Sequence, residues 1–416
     1  MPRSAVVLGG GVAGLTAAVE LLARGWRITI LEAKERLGGR VHTVHHGKIP
    51  IELGAEFVHG KDPALVELIR HAKLSTQKVS EENRWFKDGR LERIPLWDRI
   101  SEIIRRIDPH KPDQTFAVFA EHVLTKPDDR ELALGFVQGF DAADPSKASA
   151  HGLLRAEVSS EHSSGDEQAR LKEGYGALVD WMAAEVRKRG GTIHTGAVAH
   201  LVNWKSGAVE VHFERAGQRD HVSADTALIT LPLGVLKTDA VRFKPSLTHK
   251  TEAIANLLFG NVRRATFVFR EVWWDKHDFG FVHSFSDAFP TWWSDPRGPV
   301  LTAWAGGPKA DALKGKTVEE LKTLGLEVLG KIFSERITSL KERVVAVHTH
   351  DWAADPHIGG AYSYLPVRGL DLPKVLADPV DGTLFFAGEA TVRDAQMGTV
   401  FGAVESARRA SKEMAG

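Results

Sequence analysis

Gly9, Gly11, Gly14 and Glu32 have the types and spacing to hold a dinucleotide by its pyrophosphate and ribose. Gly9 allows a tight strand-to-helix turn, Gly11 lets the backbone approach a pyrophosphate, and Gly14 lets the helix pack closely on the strand. Val12 and Ala13 carry amides of the helix start, where free N–H groups and the helix dipole favour negative charge. Glu32 stands where a carboxylate accepts hydrogen bonds from both hydroxyls of an adenosine ribose.

The elements that must position these residues surround them. Ala5–Leu8 is a short apolar run that suits a buried parallel strand. Leu15, Ala18, Val19 and Leu22 recur at helical spacing, and Arg27–Leu31 is a second strand that ends at Glu32. Ala5 to Val19 is uncharged and follows Arg3, as in a secretory leader. No small-x-small cleavage site precedes a separate mature start, and removal would destroy the motif, so the expectation is that the segment is kept. Further on, Ala33, Lys34 and the pair Gly38-Gly39 followed by Arg40 suit a second set of phosphate contacts.

With 416 residues, 43% of them hydrophobic and 26% charged, the chain reads as a globular enzyme of two sequential or intertwined domains. Lys plus Arg and Asp plus Glu are equal at 54 each, so no net field favours nucleic acid or an anionic membrane. No apolar run is long enough for a membrane span. The chain has no cysteine, which removes disulfides, thiolate metal sites and cysteine nucleophiles and suits a reducing, cytoplasmic location. His42, His45, His46, His348 and His350 lack ligand spacing and read as surface histidines, so no metal is expected.

Ile51–Gly60 contains Leu53, Gly54, Ala55, Glu56 and His59. The succession of glycine fingerprint, E-A-x-x-R-x-G-G-R over residues 32–40 and E-L-G-A-x-x-x-H-G over residues 52–60 resembles the flavin-containing amine oxidase family. That family includes monoamine oxidases, polyamine oxidases and flavin histone demethylases, and the motifs here are most similar to bacterial polyamine-oxidase-like proteins. The resemblance implies FAD rather than NAD, bound non-covalently, since no cysteine is present to link it. It spans nearly the whole chain. Val198 matches a position that meets the adenine end through its backbone, and Leu231–Leu236 matches a recurrent segment. The closing FAD motif falls on Leu384–Ala390 and Met397–Ser406, with Gly388 and Glu389 in a loop and Thr399, Val400 and Ala403 at a helix start.

Residues 62–172 read as mostly helical and carry no motif of their own. After the helix Ala177–Lys188 come strands near 192–194, 197–204, 208–214, 218–223 and 227–232. Arg264–Phe269 and Val300–Trp304 read as strands and Thr317–Phe333 as a helix. Gly315-Lys316-Thr317 fails as a phosphate loop because Ala310 stands at the required first glycine. The implied fold is α/β: a Rossmann-like FAD-binding domain from residues 1–74, 172–256 and 352–416, with an inserted α+β substrate domain, a mixed sheet flanked by helices, from residues 75–171 and 257–351.

By resemblance, the α carbon of an amine gives hydride to flavin N5, the imine hydrolyses to an aldehyde, and oxygen is reduced to hydrogen peroxide. Tyr362 matches the aromatic position flanking the flavin, against the plainer reading of a core tyrosine. Thr399 stands at the second cage position, as in polyamine oxidases rather than monoamine oxidases. His59 matches a histidine that bonds a substrate nitrogen, or it is structural. Glu56 suits a second, cationic nitrogen, or it faces outward. Trp352 matches a position near the flavin, and among Trp292, Trp293 and Trp304 at most one is expected to touch substrate.

Arg264 takes the place of the family's lysine, which holds a water at flavin N5. Arginine is forked, permanently charged and a poor proton relay. The expected partners are a small amine, probed first among polyamines and other aliphatic amines, and oxygen or another electron acceptor. The alternatives are an amine dehydrogenase or L-amino acid oxidase with weak oxygen reactivity, a flavin desaturase or protoporphyrinogen-oxidase-like enzyme, and a redox-silent FAD-binding protein.

Overall fold

The computed structural model describes residues 2–162, 168–274, 280–393 and 397–416. Among these described residues, a five-stranded parallel sheet runs in the order Thr192–His194, Arg27–Leu31, Ser4–Leu8, Thr226–Ile229, Leu384–Phe386. Its strands come from both ends of the chain and from its middle. The period of two explains the packing. Ala5 and Val7 face a layer built with the helices Val12–Ala23, Tyr175–Lys188 and Val400–Ala415. Val6 and Leu8 face the opposite way, onto Val202, Val209, Val211 and Phe213 of a four-stranded sheet that includes Val198–Lys205 and Ala208–Arg215. Such strands, buried on both faces, need continuous apolar sequence.

A seven-stranded sheet runs Val344–His348, Val262–Phe269, Val300–Gly306, Thr291–Asp295, Phe281–His283, Asn83–Lys87, Arg90–Arg93. Phe281–His283 pairs parallel with Asn83–Lys87 and the other neighbours are antiparallel, so the sheet is mixed. The helix Val318–Phe333 packs on it, and Thr317 and Glu320 close its start with a reciprocal capping box. Thr317 is thus a helix cap. The helices Leu96–Ile104, Phe116–Val123, Pro127–Gly139 and Ala150–His162 form a further layer. The architecture is α/β, with a parallel sheet and a separate mixed sheet flanked by helices.

The expectation of a mostly helical 62–172 needs correction. Thr76–Lys78, Asn83–Lys87, Arg90–Arg93 and Gln168–Leu171 are strands. The turn at Asp88-Gly89, with φ of 49° and 76°, is the signal that marks the hairpin, because both positions need positive φ.

Candidate active site

A cavity of about 910 Å³ opens beyond the C-terminal ends of the parallel strands and reaches the seven-stranded sheet. Every site residue singled out from the sequence lines it except Gly14 and Lys34.

At one end stand Gly9, Gly11, Val12, Ala13, Glu32, Ala33 and Val198. Gly9 turns the chain at φ +109°. A Cβ on Gly11 would meet no protein atom closer than 3.9 Å, so the room beside it belongs to the cavity. A Cβ on Gly14 would fall 2.0 Å from the Gly9 carbonyl oxygen, which explains why Gly14 serves packing and stays off the wall. The helix Val12–Ala23 has no side-chain cap, leaving its first amides to whatever occupies the cavity. Glu32 is buried, and its oxygens accept one backbone bond each, from Gly10 N at 2.7 Å and Lys34 N at 2.9 Å. Lone pairs remain for a ribose. Its carbonyl accepts from Ala197 N at 2.9 Å, which sets Val198 beside it.

Lys34 departs from expectation: its ammonium leaves the cavity to pair with Asp355, which also accepts from His350 Nε2 at 3.0 Å. Burial disfavours the Asp355 charge, yet these partners hold its pKa well below the usual carboxylate range. Nor are His42 and His350 simple surface histidines. Their rings meet edge-on at 5.6 Å, and burial, then the nearby cation Arg36, lowers the His42 pKa to about 4.

Gly38, Gly39, Arg40, Gly388, Glu389, Thr399, Val400 and Ala403 form the middle of the wall. Arg40 donates to Glu389 at 2.7 Å and to the Ala361 carbonyl at 2.6 Å. The other Glu389 oxygen accepts from Ser363 Oγ at 2.6 Å and from Gly398 N at 3.0 Å, so one buried carboxylate ties three distant segments together. Thr399 caps the helix Val400–Ala415 by accepting from Gly402 N at 2.9 Å. The start of that helix therefore faces the cavity with its positive end.

Leu53, Gly54, Ala55 and Glu56 follow, and Trp352 is fixed against them by donating to the Leu53 carbonyl at 2.8 Å. The outward-facing expectation for Glu56 does not hold. It points inward, but both oxygens are taken: Arg170 Nε donates at 2.6 Å, Trp293 Nε1 at 3.1 Å and Arg264 Nη2 at 2.7 Å. Burial alone would raise the Glu56 pKa; the Arg170 and Arg264 guanidiniums outweigh it and hold it at about 2. Arg264 also donates to the Gly54 carbonyl at 3.0 Å, so its fork clamps the 54–56 backbone from the seven-stranded sheet.

Tyr362 lines the next stretch, its hydroxyl donating to the Phe140 carbonyl at 2.7 Å. Burial, then Asp141 and Glu389, raises its pKa well above the ordinary tyrosine value, so it stays neutral. A Cβ on Gly398 would sit 2.8 Å from the Tyr362 ring, which therefore packs directly beside Thr399. His59 meets the ring of Phe140 edge-on at 5.8 Å, and burial lowers its pKa to about 4. Trp293 and Trp304 both line the cavity, whereas Trp292 lies in the core.

The sequence reading missed Asp141, Glu157, Gln168, Phe136, Phe140 and Trp97, all on the wall and all from the stretch that carried no motif. Their only signal was the helical patterning that brings Phe136 and Phe140 onto one face, where the rings stack at 5.0 Å.

The residues around Gly11 and Glu32 suit a dinucleotide, and the aromatic end suits a small organic molecule placed against it. The model of the family described as flavin containing amine oxidoreductase matches residues 12–125 and 115–415. Polyamine oxidase 4 of Oryza sativa subsp. japonica is 27% identical over 99% of this chain and 88% of its own length. Lysine-specific histone demethylase 1 homolog 2 of the same plant is 31% identical over 99% of this chain and 57% of its own length. The fold matches cyclohexylamine oxidase from Brevibacterium oxydans with a TM-score of 0.85 at 19% identity, covering 100% of this chain and 99% of that one. Putrescine oxidase bound to putrescine matches with a TM-score of 0.84 at 18% identity over 100% and 99% of the two chains. No helix among the described residues is long and apolar enough to cross a membrane. The chain belongs to the flavin-containing amine oxidoreductase family and is an FAD-dependent oxidoreductase that acts on amines.

Proposed function

We propose that the protein oxidises an aliphatic amine, and that a polyamine is its substrate. The observation that carries this reading is one continuous cavity with the Gly11–Glu32 wall at one end and Tyr362, Trp293, Trp304 and Phe140 at the other. The names of the relatives, polyamine oxidases among them, support the substrate class. When bound, FAD would supply the two-electron acceptor for a hydride from the carbon bearing the nitrogen, so that the amine would become an imine open to hydrolysis to an aldehyde, with oxygen as the final acceptor and hydrogen peroxide as its product.

The protein's part is binding, orientation and desolvation. Glu32 holds the ribose, the Gly11–Ala13 amides and Arg40 hold the phosphates, and the start of helix Val400–Ala415 offers positive potential to the flavin ring. Trp352 and the Arg264 clamp keep the Leu53–Glu56 backbone rigid. Tyr362 and the neighbouring aromatic rings form an apolar wall that disfavours ammonium at the reacting nitrogen, which must be neutral to release hydride. His59, held neutral by burial, can accept or donate one hydrogen bond to a substrate nitrogen. We assign the FAD-binding role to residues 1–74, 172–256 and 352–416 and the substrate role to the two inserted segments.

A second reading, an amine dehydrogenase with weak oxygen reactivity, is favoured by Arg264, whose fork is committed to Glu56 and Gly54. The same commitment disfavours an L-amino acid oxidase, since the lining guanidiniums Arg40 and Arg264 are both ion-paired and neither is left for a substrate carboxylate. Anaerobic mixing of the yellow protein with polyamines, benzylamine and L-amino acids, followed by air, tests all three. Bleaching by a polyamine and rapid recovery of colour with peroxide support the oxidase. Bleaching with slow recovery supports the dehydrogenase, and no bleaching by any amine refutes both.

A further inference from the structure

The seven-stranded sheet gives the cavity a wall of rings. Trp304 and Tyr362 pack on one small cluster around Val262. From Trp304 the line continues through Trp293, Phe281, His283 and Phe285, with successive centroids 5.6, 5.9, 6.5 and 5.6 Å apart. Strand register makes this line: Trp293 stands opposite Phe281, and Thr291 opposite both His283 and Trp304, so these residues share the face toward the cavity. The line leads to a blind end. Asp98 and Phe140 line the cavity and are exposed, whereas Leu96, Ile104, His283 and Phe285 line it and are at most 7% exposed. The polar side chains of that end satisfy one another. Burial lowers the His283 pKa to about 4, and its neutral ring has Nε2 3.0 Å from Asn83 Oδ1 and Nδ1 3.4 Å from Thr291 Oγ1. None of these side chains is charged, so the end suits hydrocarbon.

Gly135 decides where the blind end lies. It sits inside the helix Pro127–Gly139 without a positive φ, so the backbone does not call for glycine, and glycine weakens a helix interior relative to alanine. Its role is space. A Cβ on Gly135 would fall 2.2 Å from Cδ1 of Phe285, so the missing side chain leaves a notch that the ring fills. Trp85 meets the same ring edge-on at 5.8 Å and His283 stacks on it at 5.6 Å, which leaves the cavity side as the direction in which it can yield. We propose that Phe285, seated in the Gly135 notch, sets the length of hydrocarbon chain that the cavity accepts beyond the reacting carbon. Phe285 is the residue that meets the chain, and Gly135 positions it. This rests on the amine-oxidising reading above.

The test is anaerobic flavin bleaching of the holoenzyme by n-alkylamines of four to twelve carbons. Each methylene buried against the rings is worth about fourfold in efficiency, so wild type should climb by about that step and then stop at one chain length. Gly135→Ala, which drives the ring inward, should bring the stop at least one carbon earlier, and Phe285→Ala should move it at least one carbon later. With Phe285 already replaced by alanine, Gly135→Ala should leave the stop in place, since no ring remains to be driven. A general loss of packing would instead change all chain lengths together. A stop that Phe285→Ala does not move, or one that Gly135→Ala moves equally with and without Phe285, overturns the proposal while leaving amine oxidation standing. If Phe285→Ala is isolated colourless, Phe285→Leu gives the same reading, with an unmoved stop again counting against it. Bleaching by a polyamine but by no n-alkylamine also overturns it, and no bleaching of wild type by any amine overturns the underlying reading as well.

Discussion

Removing the charge of Glu56 tests whether the clamp over residues 54–56 is electrostatic. Glu56→Gln keeps the shape but leaves the Arg170 and Arg264 guanidiniums, 3% and 2% exposed, without their shared counter-charge. Breaking a buried pair by neutralising one partner costs about 3–5 kcal/mol. The titration of Glu56 gives a similar figure. Its pKa falls from 4.5 to about 2, and at about 1.4 kcal/mol per pKa unit this is worth roughly 3 kcal/mol at neutral pH.

The sign follows from a depressed folded-state pKa. Between about pH 2 and 4.5 the unfolded chain binds the extra proton, so the contribution is complete above 4.5 and is lost as pH falls through 2. Urea unfolding of wild-type and Glu56→Gln holoenzyme at pH 7 and at pH 3 reads both effects. The variant should be about 3 kcal/mol less stable at pH 7, and the gap should narrow by about 2 kcal/mol at pH 3. A loss below about 1 kcal/mol at pH 7, or a gap that does not change with pH, refutes the electrostatic account of the clamp.

Three further outcomes are expected. Gly11→Val should yield a folded but colourless protein with a near wild-type apo melting temperature, since its Cβ meets no protein atom within 3.9 Å. Gly14→Val should fail to fold, because its Cβ would lie 2.0 Å from the Gly9 oxygen; equal yellow colour in both by absorbance would contradict this. Glu32→Ala should weaken FAD binding at least about tenfold by equilibrium dialysis, as a charged acceptor is lost, and unchanged affinity would remove Glu32 from the ribose. Arg264→Lys should speed reoxidation of the bleached protein by oxygen in stopped flow, because an ammonium can relay a proton and a guanidinium cannot. Reoxidation unchanged or slower would show that Arg264 does not limit that step.

The glycine cluster, Glu32 and the strands around them were legible because each conformation is dictated by residues a few positions away. A strand-to-helix turn needs Gly9, and a run such as Val6-Val7-Leu8 needs burial on both faces. The end of the chain was legible for the same reason, with Thr399 capping the helix that Gly398 introduces. Tertiary structure decided which side chains meet. Glu56 finds Arg170 and Arg264, 114 and 208 residues away, only because three separate segments converge on one cavity. Lys34 lies beside Glu32 in sequence yet turns to Asp355, 321 residues on. Asp141 sits in an undistinguished helical stretch, and what makes it notable is the wall it joins. Local backbone geometry is encoded over a few neighbouring residues. The partner of a charge, and hence its titration and its chemistry, depends on which remote segments the burial of apolar surface draws together.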